Sequence, residues 1–165
     1  MECIRAKRED IPLVAEIARQ AMQRTYPLYY PPKAVEFFLW WHSAGRIEEQ
    51  FLEDEIYLLL QDGKAVGTGS RTGCHIHRVF VLPEQQGKGY GSAILRVLES
   101  RIFDEDPAGY PEIILEAVLS SYGMYRRRGY EAVGFEARPV EGGEYLCYHV
   151  MKKARPPRPR ATEKP

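Results

Sequence analysis

Between Pro12 and Thr25 apolar positions recur every three or four residues: Val14, Ile17, Ala18 and Ala21 make one stripe, which predicts an amphipathic helix. Asp10 is a suitable N-cap for it, and Pro12 fits its first turn. A short strand, Cys3–Arg8, is expected before it. Tyr26-Pro-Leu-Tyr-Tyr-Pro-Pro32 must break the helix. The segment that follows carries Val35, Phe37, Phe38, Leu39, Trp40 and Trp41, so a second helix there is apolar nearly all round. Such a helix is either deeply buried or lines a cavity. Beyond it the pattern shortens to strands: Glu55–Gln61, a hairpin turn at Asp62-Gly63, and Lys64–Ser70 returning. Arg71-Thr72-Gly73 reads as a second turn into a strand at Cys74–Leu82. After Pro83 a glycine-rich loop opens a helix with Ile94, Leu95, Leu98 and Ile102 on one face. Glu112–Val118 follows as a strand, Tyr122–Arg128 as a short helix stopped by Gly129, and Tyr130–Pro139 and Tyr145–Met151 as closing strands. Mixed elements around an antiparallel meander argue α+β rather than a doubly wound sheet.

Composition narrows the class without naming a function. The 165 residues are 44% apolar and 28% charged, the profile of an ordinary globular domain. Lys plus Arg and Asp plus Glu both number 23, so the molecule as a whole offers no broad field for nucleic acid or membrane. That zero hides an asymmetry, because residues 152–165 hold six basic groups and one acid. The rest is net acidic, which leans towards cationic or amine-bearing partners. Residues 1–153 are expected to form the domain, and the Pro- and Arg-rich 154–165 a disordered tail. Three scattered cysteines, Cys3, Cys74 and Cys147, form neither a disulfide framework nor a metal site, and they suit a reducing compartment. Without a signal peptide or an apolar run near the 20 or so residues that span a bilayer, the expected location is cytoplasmic.

The chemistry concentrates after Val79-Phe-Val-Leu-Pro83. Gly87, Gly89 and Gly91 alternate there between a buried strand and an amphipathic helix. Glycine admits positive φ and close approach, so successive N–H groups can converge on an anion. The helix start adds about half a positive charge, and Lys88 can supplement it. A phosphate or pyrophosphate is the natural occupant; a strand-to-helix turn without ligand is the alternative. The spacing G-x-G-x-G is not the dinucleotide fingerprint G-x-G-x-x-G, and Leu82 stands where a P-loop needs its first glycine.

Gln86-Gly-Lys-Gly-Tyr-Gly91 resembles the [Q/R]-x-x-G-x-[G/A] loop of the GNAT superfamily of N-acetyltransferases, which holds the coenzyme A pyrophosphate. Tyr125-Arg-Arg-Arg-Gly-Tyr130 resembles the family's second block, Y-x-x-x-G-[F/Y]. The order of elements agrees over about Ile4 to Lys152. The resemblance implies a GNAT fold, a central mixed, mostly antiparallel twisted sheet flanked by helices, and acetyl-CoA as co-substrate. It places the coenzyme on Phe80, Val81, Leu82, Gln86, Gly87, Lys88, Gly89, Tyr90, Gly91 and Ser92. It also gives Tyr125 the family's role of meeting the leaving thiolate. Reference values near ~10 for tyrosine and ~8.5 for a thiol make full proton transfer uphill by about 2 kcal/mol, so Tyr125 can serve as hydrogen-bond donor as well as acid.

The base has several candidates. His75-Ile-His77 puts two imidazoles on one face of a strand, apart from any bulge, and is similar to the histidine pair of the arylalkylamine N-acetyltransferases. An alkylammonium near ~10.4 losing its proton to a histidine near ~6.5 is uphill by about 5 kcal/mol, so the transfer needs water or a pocket that disfavours the ammonium. Glu116, on the neighbouring strand, is the rival, and a structural histidine pair is the third reading. No metal is expected, since Cys74 faces away and no further ligand is spaced to help. Tyr26, Tyr29, Tyr30, Trp40 and Trp41 are the candidate acceptor wall, by analogy with the family's first two helices, or else plain core. The sequence thus points to acetyl transfer from acetyl-CoA to a small hydrophobic or aromatic primary amine in a ternary complex. A protein or peptide amine acceptor and a non-catalytic acyl-CoA-binding regulator are the alternatives. No nucleic acid or membrane partner is expected, and a homodimer stays open.

Overall fold

The computed structural model describes residues 1–106 and 108–157. Seven strands form one sheet in the order β1-β2-β3-β4-β5-β7-β6. They are β1 (Glu2–Arg5), β2 (Glu55–Gln61), β3 (Lys64–Thr72), β4 (His75–Val81), β5 (Glu112–Val118), β6 (Glu131–Pro139) and β7 (Tyr145–Ala154). Every neighbouring pair is antiparallel except β4 and β5. The expected mixed, mostly antiparallel α+β sheet is present.

Helices cover both faces. On one face α1 (Ile11–Thr25) and α2 (Pro32–Trp41) bury Val14, Ile17, Phe38 and their neighbours against Ile56, Leu58 and Phe80. On the other, α4 (Tyr90–Ser100) buries Ile94, Leu95 and Leu98 against Tyr57, Leu59 and Ile76. The four-residue run Ile56–Leu59 is buried throughout because alternate side chains serve the two cores. Closeness of α4 to the sheet depends on small residues: a Cβ on Gly67 would stand 2.8 Å from Ile94, and one on Gly69 only 2.4 Å. That contact sets how near the helix lies to β3.

The hairpin at Asp62-Gly63 forms as expected, with φ of 51° and 75°, the left-handed pair that a two-residue turn requires. Several boundaries move. Strand β1 stops at Arg5, and the carboxylate of Asp10 accepts the Lys7 N–H at 2.8 Å across a 3-10 turn instead of capping α1. The turn expected at Arg71–Gly73 shortens, because Arg71 is held in β3 by Glu55 (Nε–Oε2 3.0 Å) and by Asp106 (Nη1–Oδ2 2.6 Å). Helix α3 (Ala44–Gln50) has no counterpart in the sequence reading. Only Ile47 of it is buried, and one residue shows no period. Helix α5 (Tyr122–Arg127) ends as expected, with Gly129 at φ 85°. Strand β7 runs on to Ala154, and the Arg155 N–H reaches Pro111 O at 2.8 Å, so pairing passes the boundary expected after residue 153. The remainder of the expected tail, 158–165, lies outside the described residues.

Candidate active site

Strands β4 and β5 pair only at His75↔Ile114 and Ile76↔Leu115, then part. The wedge they leave opens into a cavity of about 700 Å³. A bulge in β4 shapes one wall. Thr68 pairs with Phe80 and Ser70 with His77, so two steps on β3 oppose three on β4. Arg78 takes up the extra residue at φ 53°, a region a non-glycine residue seldom enters. The bulge also moves the side chains. Ile76 faces α4, His77 and Arg78 both turn to the α1–α2 side, and Phe80 joins that side, where strict alternation would have put it with Ile76.

At one end of the cavity lies the glycine loop. Gly87 and Gly89 have φ of 77° and 83°, and a Cβ at either would meet nothing within 4 Å. Gly89 is the N-cap of α4, whose first intrahelical bond is Ala93 N–H to Gly89 O at 3.0 Å. The N–H groups of Tyr90, Gly91 and Ser92 therefore lack helical acceptors. All three residues line the cavity with Gln86, Gly87 and Gly89. Gln86 Nε2 donates to Val81 O at 3.0 Å and ties the loop to the strand end. These open positive-φ glycines and free donors fit a diphosphate. Phe80 and Val81 also border the cavity; Leu82 and Lys88 do not, although Lys88 Nζ donates at 2.9 Å to Oε1 of Gln85, which does.

Tyr125 comes from α5 to the middle of the cavity. It is buried, packs edge-on against Tyr130 at 5.6 Å, and burial raises its phenol pKa well above the usual value. His77 and Glu116 border the same space. His75 does not border it; its Nε2 is 3.7 Å from Glu116 Oε2, and its ring centre is 5.9 Å from that of His77. Burial lowers the His75 pKa, with His77 adding to the effect and Glu116 and Asp54 opposing it.

The far wall is aromatic. Tyr26 packs edge-on against Phe38 at 4.8 Å, Phe37 stacks on Trp41 at 6.1 Å, and all four border the cavity. The other proposed wall residues are elsewhere. Tyr29 is 49% exposed and Trp40 52%. Tyr30 is buried, but its hydroxyl donates to Cys147 O (2.7 Å) and accepts from Leu119 N–H (2.9 Å), a tie between the helix connection and the sheet. The guanidinium of Arg46 already covers both indoles, 5.1 Å from Trp40 and 4.7 Å from Trp41.

Three polar residues at this end were not read from the sequence: His42, Asp54 and Arg78. His42 sits edge-on to Phe80 at 5.1 Å, and burial, with Arg78 and His77 nearby, lowers its pKa to about 3. Arg78 is buried and paired with Asp54 and Gln50. An arginine inside a strand otherwise apolar from Val79 to Val81 was the available signal, since a buried guanidinium requires a carboxylate. Among the described residues no group of three or more His, Cys, Asp or Glu is placed to hold a metal ion, and no helix is long and apolar enough to cross a membrane.

A family model described as an acetyltransferase (GNAT) domain matches residues 28–153. The chain belongs to the GNAT acetyltransferase family. It is accordingly an acetyl-CoA-dependent N-acetyltransferase. No curated protein sequence matches it. Among solved structures, a GCN5-related N-acetyltransferase from Rhodopseudomonas palustris is 19% identical at a TM-score of 0.83, covering 93% of this chain and 94% of the other. PaiA N-acetyltransferase of Thermoplasma acidophilum, in complex with coenzyme A, is 17% identical at 0.71 (93% and 98%). A ribosomal-protein-alanine N-acetyltransferase of Brucella melitensis is 18% identical at 0.67 (93% and 99%). At these identities the likeness is one of fold.

Proposed function

We propose that the acetyltransferase acylates a small hydrophobic or aromatic primary amine by direct attack within a ternary complex. The observation that carries this is one continuous cavity whose wall changes from glycine loop to Tyr125 and His77 to a cluster of aromatic rings. The Gly87–Ser92 loop would hold the coenzyme's diphosphate, a reading supported by the coenzyme A present in the Thermoplasma neighbour. Bound acetyl-CoA supplies the activated acyl carbon as a thioester. Tyr26, Phe38 and Trp41 give the acceptor's apolar body a place to lose its water, at about 25 cal/mol for each Å² buried.

As the amine nitrogen bonds to the acyl carbon, its proton passes to His77 through water, and the carbon–sulfur bond breaks. Tyr125 meets the departing thiolate as a hydrogen-bond donor. Its raised pKa keeps the phenol protonated and makes outright transfer of its proton less favourable than between ordinary groups, so the thiolate takes a proton from solvent. Glu116 is the second candidate acceptor for the amine proton, since it borders the same cavity.

Thiol release from acetyl-CoA against a panel of arylalkyl amines, polyamines, amino acids and peptides tests the assignment. Release with arylalkyl amines at low KM is expected. Release confined to peptides would overturn the small-amine reading.

A further inference from the structure

Asp54 stands one residue before β2 and is 5% exposed. Two neighbouring strands hold its carboxylate, and a helix end steadies the arginine that does so. Thr72 Oγ1, on β3, donates to Oδ1; Arg78 Nη1, on β4, donates to Oδ2; and the other arm of that guanidinium donates to Gln50 at the end of α3. The same Oδ2 lies 3.2 Å from His77 Nε2, off the line of a good hydrogen bond but at ion-pair distance. Burial works to raise the carboxyl pKa and is outweighed by contacts with His77, Thr72 and Arg78, which bring it to about 2. Asp54 is therefore an anion at neutral pH.

His77 Nε2 is itself buried and has no hydrogen-bond partner among the described residues, although the ring borders the cavity and its side chain is 27% exposed. Access to the imidazole from the cavity must then come at another edge of the ring. A lone pair on Nε2 would face a buried carboxylate oxygen with no water between them, whereas an N–H there is attracted to it.

We propose that Asp54 is a positioning residue that keeps neutral His77 in the tautomer protonated at Nε2, so that the Nδ1 lone pair is the one presented to the cavity. This rests on the reading of His77 as acceptor of the amine proton and names the atom that does it. The other ionisable groups nearby do not compete for Nε2: Glu116 approaches His75, and Arg78 is taken up by Asp54 and Gln50. His42 faces Phe80.

The tautomer can be read without any substrate. In the full chain with 15N-labelled histidine, the four histidines are assigned by single His→Gln variants and examined at about pH 8.5, where an ordinary imidazole is neutral. The expected spectrum has a pyrrole-type Nε2 and a pyridine-type Nδ1 for His77. In Asp54→Asn, whose amide can donate to Nε2, the Nδ1–H form should gain population. Turnover should fall at least about tenfold, with no further loss when Asp54→Asn is added to His77→Gln. A wild-type His77 protonated at Nδ1, or an unchanged tautomer in folded Asp54→Asn, would overturn the proposal. Should Asp54→Asn fail to fold because Arg78 loses its partner, the wild-type spectrum alone still decides. Undiminished thiol release by His77→Gln would instead overturn the base reading and leave the tautomer result standing.

Discussion

The two ends of the cavity are built from different materials. Around Gly87–Ser92 the distinctive surface is main chain: positive-φ glycines with open space where a Cβ would stand, N–H groups without helical acceptors, and a helix start. At the other end the lining side chains are fixed by one another and by their neighbours, from Tyr26 on Phe38 to Arg78 on Asp54. On the proposed function, the main-chain site would recognise what every substrate pair shares, the diphosphate of the coenzyme. A side-chain site can change residue by residue, and on the same proposal it would set which amine is accepted. Substitutions should therefore divide cleanly, those at the first end abolishing coenzyme binding and those at the second altering chemistry or acceptor affinity alone.

The largest expected effect tests the main-chain end. In Gly89→Val a β-branched residue is forced to φ 83° and its side chain fills the open approach. Saturation of the wild type at 100 times Kd should stabilise it by about 2.7 kcal/mol, which for a chain of this size raises Tm by roughly 5–10 °C. That rise should vanish. A folded Gly89→Val protein with the full rise would break the comparison at its first term.

Next in size is His77→Gln at the side-chain end. Loss of a general base typically costs about 10²–10⁴-fold in turnover, and here the coenzyme-induced rise in Tm should stay intact. Glu116→Gln measured alongside separates the two candidate acceptors, since the larger loss identifies the one that takes the proton. If His77→Gln weakened coenzyme binding as much as turnover, the two ends would not be independent.

The same contrast explains what was legible in the sequence. The loop could be read because the properties it uses, absence of Cβ and a helix start, belong to contiguous residues and need no partner. The face of His77 was legible by alternation, but the face of Phe80 was not, because the bulge at Arg78 depends on pairing with β3. Asp54 was invisible for a similar reason. Its role is defined by Thr72, His77 and Arg78, residues 18 to 24 positions away that only the sheet brings together. Tyr30 makes the point from the other side: its composition suggested an acceptor wall, yet its hydroxyl is spent on Cys147 and Leu119, 117 and 89 positions distant.

Tyr125→Phe lies at the junction of the two ends and should show a smaller effect, a fall in turnover of about tenfold or more with coenzyme binding nearly unchanged. Because the phenol pKa is raised by burial, the wild-type rate should show no alkaline loss attributable to this residue near its ordinary value of about 10. Wild-type turnover in Tyr125→Phe, with chemistry rate-limiting, would leave Tyr125 a packing residue.

Acid stability sharpens the view of the side-chain end further. The folded pKa of His42 is depressed to about 3, so as pH falls below about 6.5 the unfolded chain takes up a proton that the folded chain refuses, and stability drops. Asp54, depressed to about 2, adds a second loss once pH falls below about 4. Tm measured against pH should decline across the first window, and His42→Gln should flatten that part of the curve. An unchanged slope in His42→Gln would mean that His42 reaches solvent when protonated.

The smallest difference is expected between two adjacent indoles. Trp41 borders the cavity and stacks on Phe37, while Trp40 is 52% exposed and does not reach it. Both carry the Arg46 guanidinium, so both substitutions disturb the same cation and only one disturbs the cavity wall. Trp41→Ala should raise KM for an arylalkyl amine by about fivefold, the equivalent of about 1 kcal/mol of lost apolar contact, with KM for acetyl-CoA unchanged. Trp40→Ala should stay within about twofold of wild type for both substrates. Equal effects from the two substitutions would mean that Arg46, not the indole facing the cavity, governs acceptor binding, and the side-chain end would then have to be redrawn around that cation.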